Sequence, residues 1–166
     1  MGSLEIVAYT QEHFDDREVI ISLLTDFSHQ LSKTHAGFEH FSMGRSLAQG
    51  QMESFDRQDH TLLIAKLEGN VIGCVGLRPH ENSFYENSCE MIFLFVKPAF
   101  RGFGFGHQLL SSFLDLAREN NYNHVLFDPL QDHEAIRQLY EDFGFQEIPP
   151  LEHDATASTT RLMLSL

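Results

Sequence analysis

The run from Cys89 to Asn120 constrains the fold more than any other part of the chain. Cys89-Glu90-Met91-Ile92-Phe93-Leu94-Phe95-Val96 is almost wholly apolar, which reads as a strand covered on both faces and therefore central in a sheet. It passes into a Gly-rich turn from Pro98 to Gly106, then into a helix reaching about Asn120 with Leu109, Leu110, Phe113, Leu114 and Ala117 facing inward. Glycines in such a turn admit positive φ and carry no side chain to fend off a ligand. Backbone N–H groups can then point at one spot, and the helix N-terminus adds partial positive charge. A turn of this kind suits a phosphate or diphosphate.

Charge distribution supports the same reading. The 166 residues hold 11 Lys and Arg against 24 Asp and Glu, a formal net charge of -13. Yet the 24 residues between Glu90 and Asp115 contain no carboxylate, and they contain Lys97, Arg101 and His107. An acidic chain keeps this segment clear of like charge. Elsewhere the acidity argues against nucleic acid and anionic membranes as partners, because both need a basic surface and the chain has three lysines. With 42% hydrophobic residues, 15 of them Phe, the chain can bury a real core, and no repeat or low-complexity linker divides it. One domain over residues 1–166 is expected.

The remaining elements follow from periodicity. Leu4, Ile6 and Ala8 alternate as a first strand, and Val19, Ile20, Leu23, Leu24, Phe27 and Leu31 form one face of a helix over about 12–31. Residues 35–59 suggest a shorter, looser helix beside a cleft. Thr61 to Lys66 and Val71 to Arg78 make a hairpin around Glu68-Gly69-Asn70. After the glycine turn and its helix come a strand from His124 to Phe127 and a helix from Asp132 to Phe143 ended by Gly144. Phe145 to Ile148 and Thr159 to Leu166 close the sheet. The order β-α-α-β-β-β-α-β-α-β-β predicts a mixed α/β domain.

Cys74 and Cys89 lie in apolar segments without C-x-x-C spacing, so they read as buried thiols in a reducing compartment rather than a disulfide or zinc site. The ten histidines show no H-E-x-x-H pair, and no metal is expected. The N-terminal residues lack a basic start followed by an apolar run, and no apolar stretch approaches the roughly 18 residues needed to span a bilayer. A cytoplasmic protein is expected.

The glycine turn can be classified by elimination. A dinucleotide fingerprint would need Gly at the sixth position counted from Gly102, where the chain has His107, and a Walker A ending of Gly-Lys-Ser/Thr is missing. Arg101-x-x-Gly104-x-Gly106 does match the Q/R-x-x-G-x-G/A diphosphate loop of acetyl-CoA-dependent transferases. Two further segments widen the match. Cys89 to Pro98 resembles the fourth strand of the GNAT superfamily of N-acetyltransferases, and Leu139-Tyr140-Glu141-Asp142-Phe143-Gly144-Phe145 resembles its L-Y-x-x-x-G-F signature. Together these motifs span about residues 88–148.

The resemblance implies a GNAT-like single domain with a mostly antiparallel mixed sheet, flanked by helices, whose fourth and fifth strands splay apart. It implies acetyl-CoA as co-substrate, with backbone at Phe95 and Val96 pairing with the pantetheine and polarising the thioester carbonyl. The diphosphate would sit on Arg101, Gly102, Phe103, Gly104, Phe105, Gly106 and His107. Whether the Phe103 and Phe105 rings pack inward or face solvent stays open at this level. Tyr140 matches the position that donates a proton to the departing thiolate, with a structural role as its alternative. Glu90 matches a carboxylate that serves as base through water, with a solvated strand end as its alternative.

Two departures from the family pattern stand out. Ile92-Phe93 replaces a pair that is polar or basic in many relatives, and His133 takes the place of an Asn that contacts pantetheine, with Ala135 one residue off register. The implied reaction is direct transfer of acetyl to a primary amine of a small molecule, such as an amino acid or polyamine. Glu81, Glu86, Asp128, Glu134, Glu141 and Asp142 would favour a cationic acceptor. A protein or peptide amine, O-acetylation, a non-catalytic acyl-CoA sensor and a homodimer remain alternatives.

Overall fold

The computed structural model describes residues 2–34, 45–127, 134–149 and 161–166. The elements are β1 (Leu4–Ala8), α1 (Arg17–Thr34), α2 (Arg45–Ser54), β2 (Thr61–Leu67), β3 (Asn70–His80), β4 (Ser88–Val96), α3 (Phe105–Glu119), β5 (His124–Phe127), α4 (Glu134–Asp142), β6 (Gln146–Ile148) and β7 (Arg161–Ser165). This is the order expected from the periodicities. The seven strands form one sheet in the order β1-β2-β3-β4-β5-β7-β6, antiparallel at every pair except β4 with β5.

Apolar residues cover both faces of that sheet. On one face, Leu109, Leu110, Phe113, Leu114 and Ala117 of α3 pack against Ala65, Ile72, Val75, Met91, Leu94 and Val125. On the other, Ile20, Ile21, Leu23 and Leu24 of α1 and Met52 of α2 meet Leu62, Ile64, Cys74 and Phe95. Each large side chain so buried stabilises the fold by roughly 1.5–3 kcal/mol relative to exposure. Coverage on both sides is why β4 reads as continuously apolar rather than alternating.

Element boundaries differ from the sequence reading in physical detail. The helix expected from residue 12 begins as a tight turn over Gln11–Asp16, because His13 leaves helical geometry (φ -87°, ψ 33°) and its Nδ1 accepts the Thr10 N–H at 3.0 Å. Strand β3 runs two residues beyond Arg78, since Pro79 and His80 still face Cys89 and Ser88 across the hairpin. Residues 35–44, 128–133 and 150–160 lie outside the described residues. They include the expected starts of the Asp132 helix and the Thr159 strand.

Two irregularities in β4 shape the rest. Across β3 and β4, Cys74 faces Phe95 and Gly76 faces Ile92, so Phe93 and Leu94 together oppose the single residue Val75. This is a β-bulge, and Phe93 reaches it with φ +54°, a conformation rare for a bulky side chain. The bulge keeps Phe93 on the face of Ile92, toward α1 and α2, and returns Leu94 to the α3 face. The Cys74 thiol donates to the Phe93 carbonyl at 3.4 Å. Gly73 is required beside it, because a Cβ there would lie 2.7 Å from the Phe95 carbonyl oxygen.

The second irregularity is a fork. Strand β5 pairs with Ser88–Met91 only, through His124–Phe127. Beyond Met91, β4 continues for Ile92–Val96 with β3 as its one strand partner among the described residues. The expected splay of the fourth and fifth strands is this opening.

Candidate functional site

The far end of the open half of β4 runs into the glycine turn. Lys97 N–H donates to the Ile72 carbonyl at 2.8 Å, anchoring the exit, and Pro98–Phe100 form a single 3-10 turn. Gly102 and Gly104 adopt φ of +86° and +83°, and a Cβ on either would meet nothing within 4 Å. Their requirement for glycine is therefore conformational, and the space above them is open. Gly104 caps α3, whose first internal bond is Gln108 N–H to the Gly104 carbonyl at 3.1 Å. The N–H groups of Phe105, Gly106 and His107 thus precede the helical ladder, and the first turn carries no acid. This cradle has the donors and the sign of potential that a diphosphate needs.

Arg101 braces the cradle. Its Nε donates to the Val96 carbonyl at 2.8 Å, and its guanidinium lies 5.2 Å from the centroid of the Phe95 ring. Partial burial pulls the guanidinium below its ordinary pKa, and an arginine remains cationic there. Phe95 itself is buried on the α1 face, edge-on to Phe27. The side chains of Phe103 and Phe105 part company: Phe105 is buried in the core while Phe103 is 53% exposed.

Helix α4 closes on the same region from the α3 face. Leu139 and Val96 would both lie in ordinary contact with a Cβ on Gly106, and the His107 ring lies against that of Phe143, centroids 4.5 Å apart and planes tilted by 42°. Tyr140, half-buried, has its ring 6.4 Å from that of Phe127. Phe127 is the last β5 residue paired with β4, so Tyr140 stands at the apex of the fork.

Glu90 stands at the same level on the opposite face, because it pairs with Leu126 while Met91 pairs with Phe127. It is not a solvated strand end. Arg78 donates to its Oε2 from Nε at 3.1 Å and from Nη2 at 3.0 Å, and Arg161 Nη1 donates to Oε1 at 3.4 Å. Arg161, 5% exposed, also reaches His80 Nε2 at 3.2 Å. The sequence reading missed Arg78, Arg161 and His80. Arg78 could have been found from the hairpin register, which sets it opposite Glu90; Arg161 is 71 residues away and left no local signal.

The structure therefore gathers Tyr140, Glu90, Phe95, Val96 and the Arg101–His107 turn around one fork. His133 lies outside the described residues. Among the described residues, no group of three His, Cys, Asp or Glu side chains is arranged to hold a metal, and no helix is long and apolar enough to cross a membrane.

A forked mixed sheet with a glycine cradle at the open strand's end defines a class of acyl-transfer domains, and sequence comparison gives the class its name. The model of the acetyltransferase (GNAT) family matches residues 22–145, and the chain belongs to that family. N-acetylaspartate synthetase of Rattus norvegicus is 33% identical over 90 residues, which are 54% of this chain and 29% of that protein. The chain thus spans less than a third of that relative's length. Among solved structures, the PaiA N-acetyltransferase of Thermoplasma acidophilum, in complex with coenzyme A, superposes with a TM-score of 0.74 at 16% identity over 99% of both chains. Ribosomal-protein-alanine N-acetyltransferase of Brucella melitensis gives 0.73 at 19% identity, over 98% of this chain and 99% of its own. These likenesses establish the GNAT fold.

Proposed function

We propose that the chain, as one domain over residues 1–166, transfers acetyl from acetyl-CoA to a primary amine of a small molecule in a ternary complex. The observation that carries this reading is the fork. Ile92–Val96 offers a strand edge to an extended pantetheine, which would pair with it as an added strand, and the edge leads directly to the diphosphate cradle. Backbone at Phe95 and Val96 would hold and polarise the thioester, residues Arg101, Gly102, Phe103, Gly104, Phe105, Gly106 and His107 the diphosphate, and His133 a further pantetheine group.

In the transfer, the amine nitrogen bonds to the thioester carbon, the C–S bond breaks, and the thiolate takes a proton from Tyr140. The proton lost by the amine passes to Glu90 through water. Glu90 can take it as one oxygen turns from its arginine. The products are an N-acetyl amine and CoA with a free thiol. Flanking the apex from opposite faces, Tyr140 and Glu90 can serve the two ends of the transfer separately. No metal enters this scheme, and the two buried cysteines favour a cytoplasmic location.

The chain's net charge of -13 favours a cationic acceptor. The group at the fork favours a second reading: it gathers the guanidinium groups of Arg78 and Arg161 and the His80 imidazole beside Glu90, cationic chemistry suited to an amine that also bears a carboxylate. The similarity to N-acetylaspartate synthetase supports that alternative. Thiol release from acetyl-CoA, measured with polyamines, L-aspartate, other amino acids and an alanine-ended peptide, tests the proposal. Amine-dependent release is expected, falling about 100-fold in kcat in Tyr140→Phe. Absence of release with every amine, or full activity in Tyr140→Phe, would refute the corresponding assignment.

A further inference from the structure

Three large apolar side chains are strongly exposed among the described residues: Phe14, Phe84 and Phe103. Only Phe103 lies in the glycine turn. It stands between two glycines held at positive φ, so the backbone on both sides is committed to a shape that presents this residue outward. Its ring is not loose in solvent: it leans on Phe105, centroids 6.0 Å apart and planes 31° apart, and Phe105 is rooted in the core. The result is a phenyl supported from below, with an open side, at the rim of an anion cradle. A turn needing only backbone donors gains nothing from exposing a Phe there, and a polar residue would satisfy solvent better.

The chemistry of the donor supplies a use for it. In acetyl-CoA the diphosphate continues through one ribose to adenine, a flat aromatic base with no place in a cradle of N–H groups. We infer that the Phe103 ring is the stacking platform for the adenine of the acyl donor, an inference resting on the reading of the turn as the diphosphate site. Base stacking on an aromatic side chain tolerates solvent on the outer face of the base, which suits a residue at a rim. The platform makes Phe103 a residue that recognises the nucleotide half of the donor, separate from the backbone that holds its diphosphate.

Acetyl-4′-phosphopantetheine keeps the thioester, the pantetheine arm and one phosphate but lacks the adenine nucleotide, so it separates the two roles. Phe103→Ala is expected to weaken acetyl-CoA binding about tenfold while the affinity for acetyl-4′-phosphopantetheine changes less than about twofold, and Phe103→Tyr should retain wild-type discrimination. The chain contains no Trp. Phe103→Trp therefore introduces a single indole, whose fluorescence CoA should quench and phosphopantetheine should not. Equal weakening of both donors in Phe103→Ala, or an indole indifferent to CoA that demonstrably binds, would overturn the platform. Failure of the wild-type protein to bind either donor calorimetrically would instead overturn the diphosphate site on which the platform depends.

Discussion

Ser88–Met91 and Ile92–Val96 belong to one strand, yet among the described residues the first half is paired on both edges and the second with β3 alone. The closed half carries Glu90 in an ion-paired group that ties β3, β4 and β7 together. The open half carries the bulge at Phe93 and leads to the glycine cradle. Side-chain character does not account for the difference, since the half with the polar Ser88 and Glu90 is the more buried one. What separates them is pairing: where neighbours satisfy both edges the strand holds the sheet together, and where one edge lacks a strand it is available to an extended ligand.

The closed half can be broken at Glu90. Glu90→Ala removes the charge-assisted hydrogen bonds that Arg78 and Arg161 make to this carboxylate, and the expected loss is about 3 kcal/mol in the free energy of urea unfolding. A Glu90→Ala protein as stable as wild type would show that the group holds nothing together.

The open half can be strained without touching its charges. Gly73→Ala drives a methyl to 2.7 Å from the Phe95 carbonyl, so the bulged segment must shift. Overpacking of this kind costs about 1–3 kcal/mol. Donor affinity should fall as well, since the segment that must shift also carries the open edge at Val96. Unchanged CoA affinity in a folded Gly73→Ala protein would mean that the edge does not carry the donor.

A further expected effect, confined to alkaline pH, concerns the two thiols, Cys89 in the closed half and Cys74 beneath the bulge. Burial pushes both up to about 12, from an ordinary value of 9.0. A raised folded value means that the unfolded chain releases these protons first. The contribution to stability is complete below about pH 9 and declines as pH rises from there toward 12. Urea midpoints measured across that interval should fall with pH, and Cys74→Ala/Cys89→Ala should flatten the decline. A slope identical in the double variant would assign it to other groups.

Much of this architecture was legible in the residues. Period-two and period-three-to-four patterns carried the order of elements, and the acid-free stretch with its glycines carried the cradle, because both are local properties of the chain. The bulge was not legible. Phe93 is one apolar residue in an apolar run, and its positive φ is imposed by register against Gly73 and Gly76 on another strand. The partners of Glu90 were hidden for the same reason, since Arg161 reaches it only after β5 and β7 have assembled beside β4. Nor could a sequence tell that Phe105 turns inward while its neighbour two residues earlier stays out.

Backbone amide hydrogen exchange, followed with and without CoA, tests the division of β4 most directly. If the open half and its turn take the donor, CoA should slow exchange at Phe95, Val96 and the amides from Gly102 to His107, while Ser88–Met91, already paired on both sides, should change little. Slowing confined to Ser88–Met91, or bound CoA that leaves Phe95 to His107 exchanging at their free rates, would contradict the account.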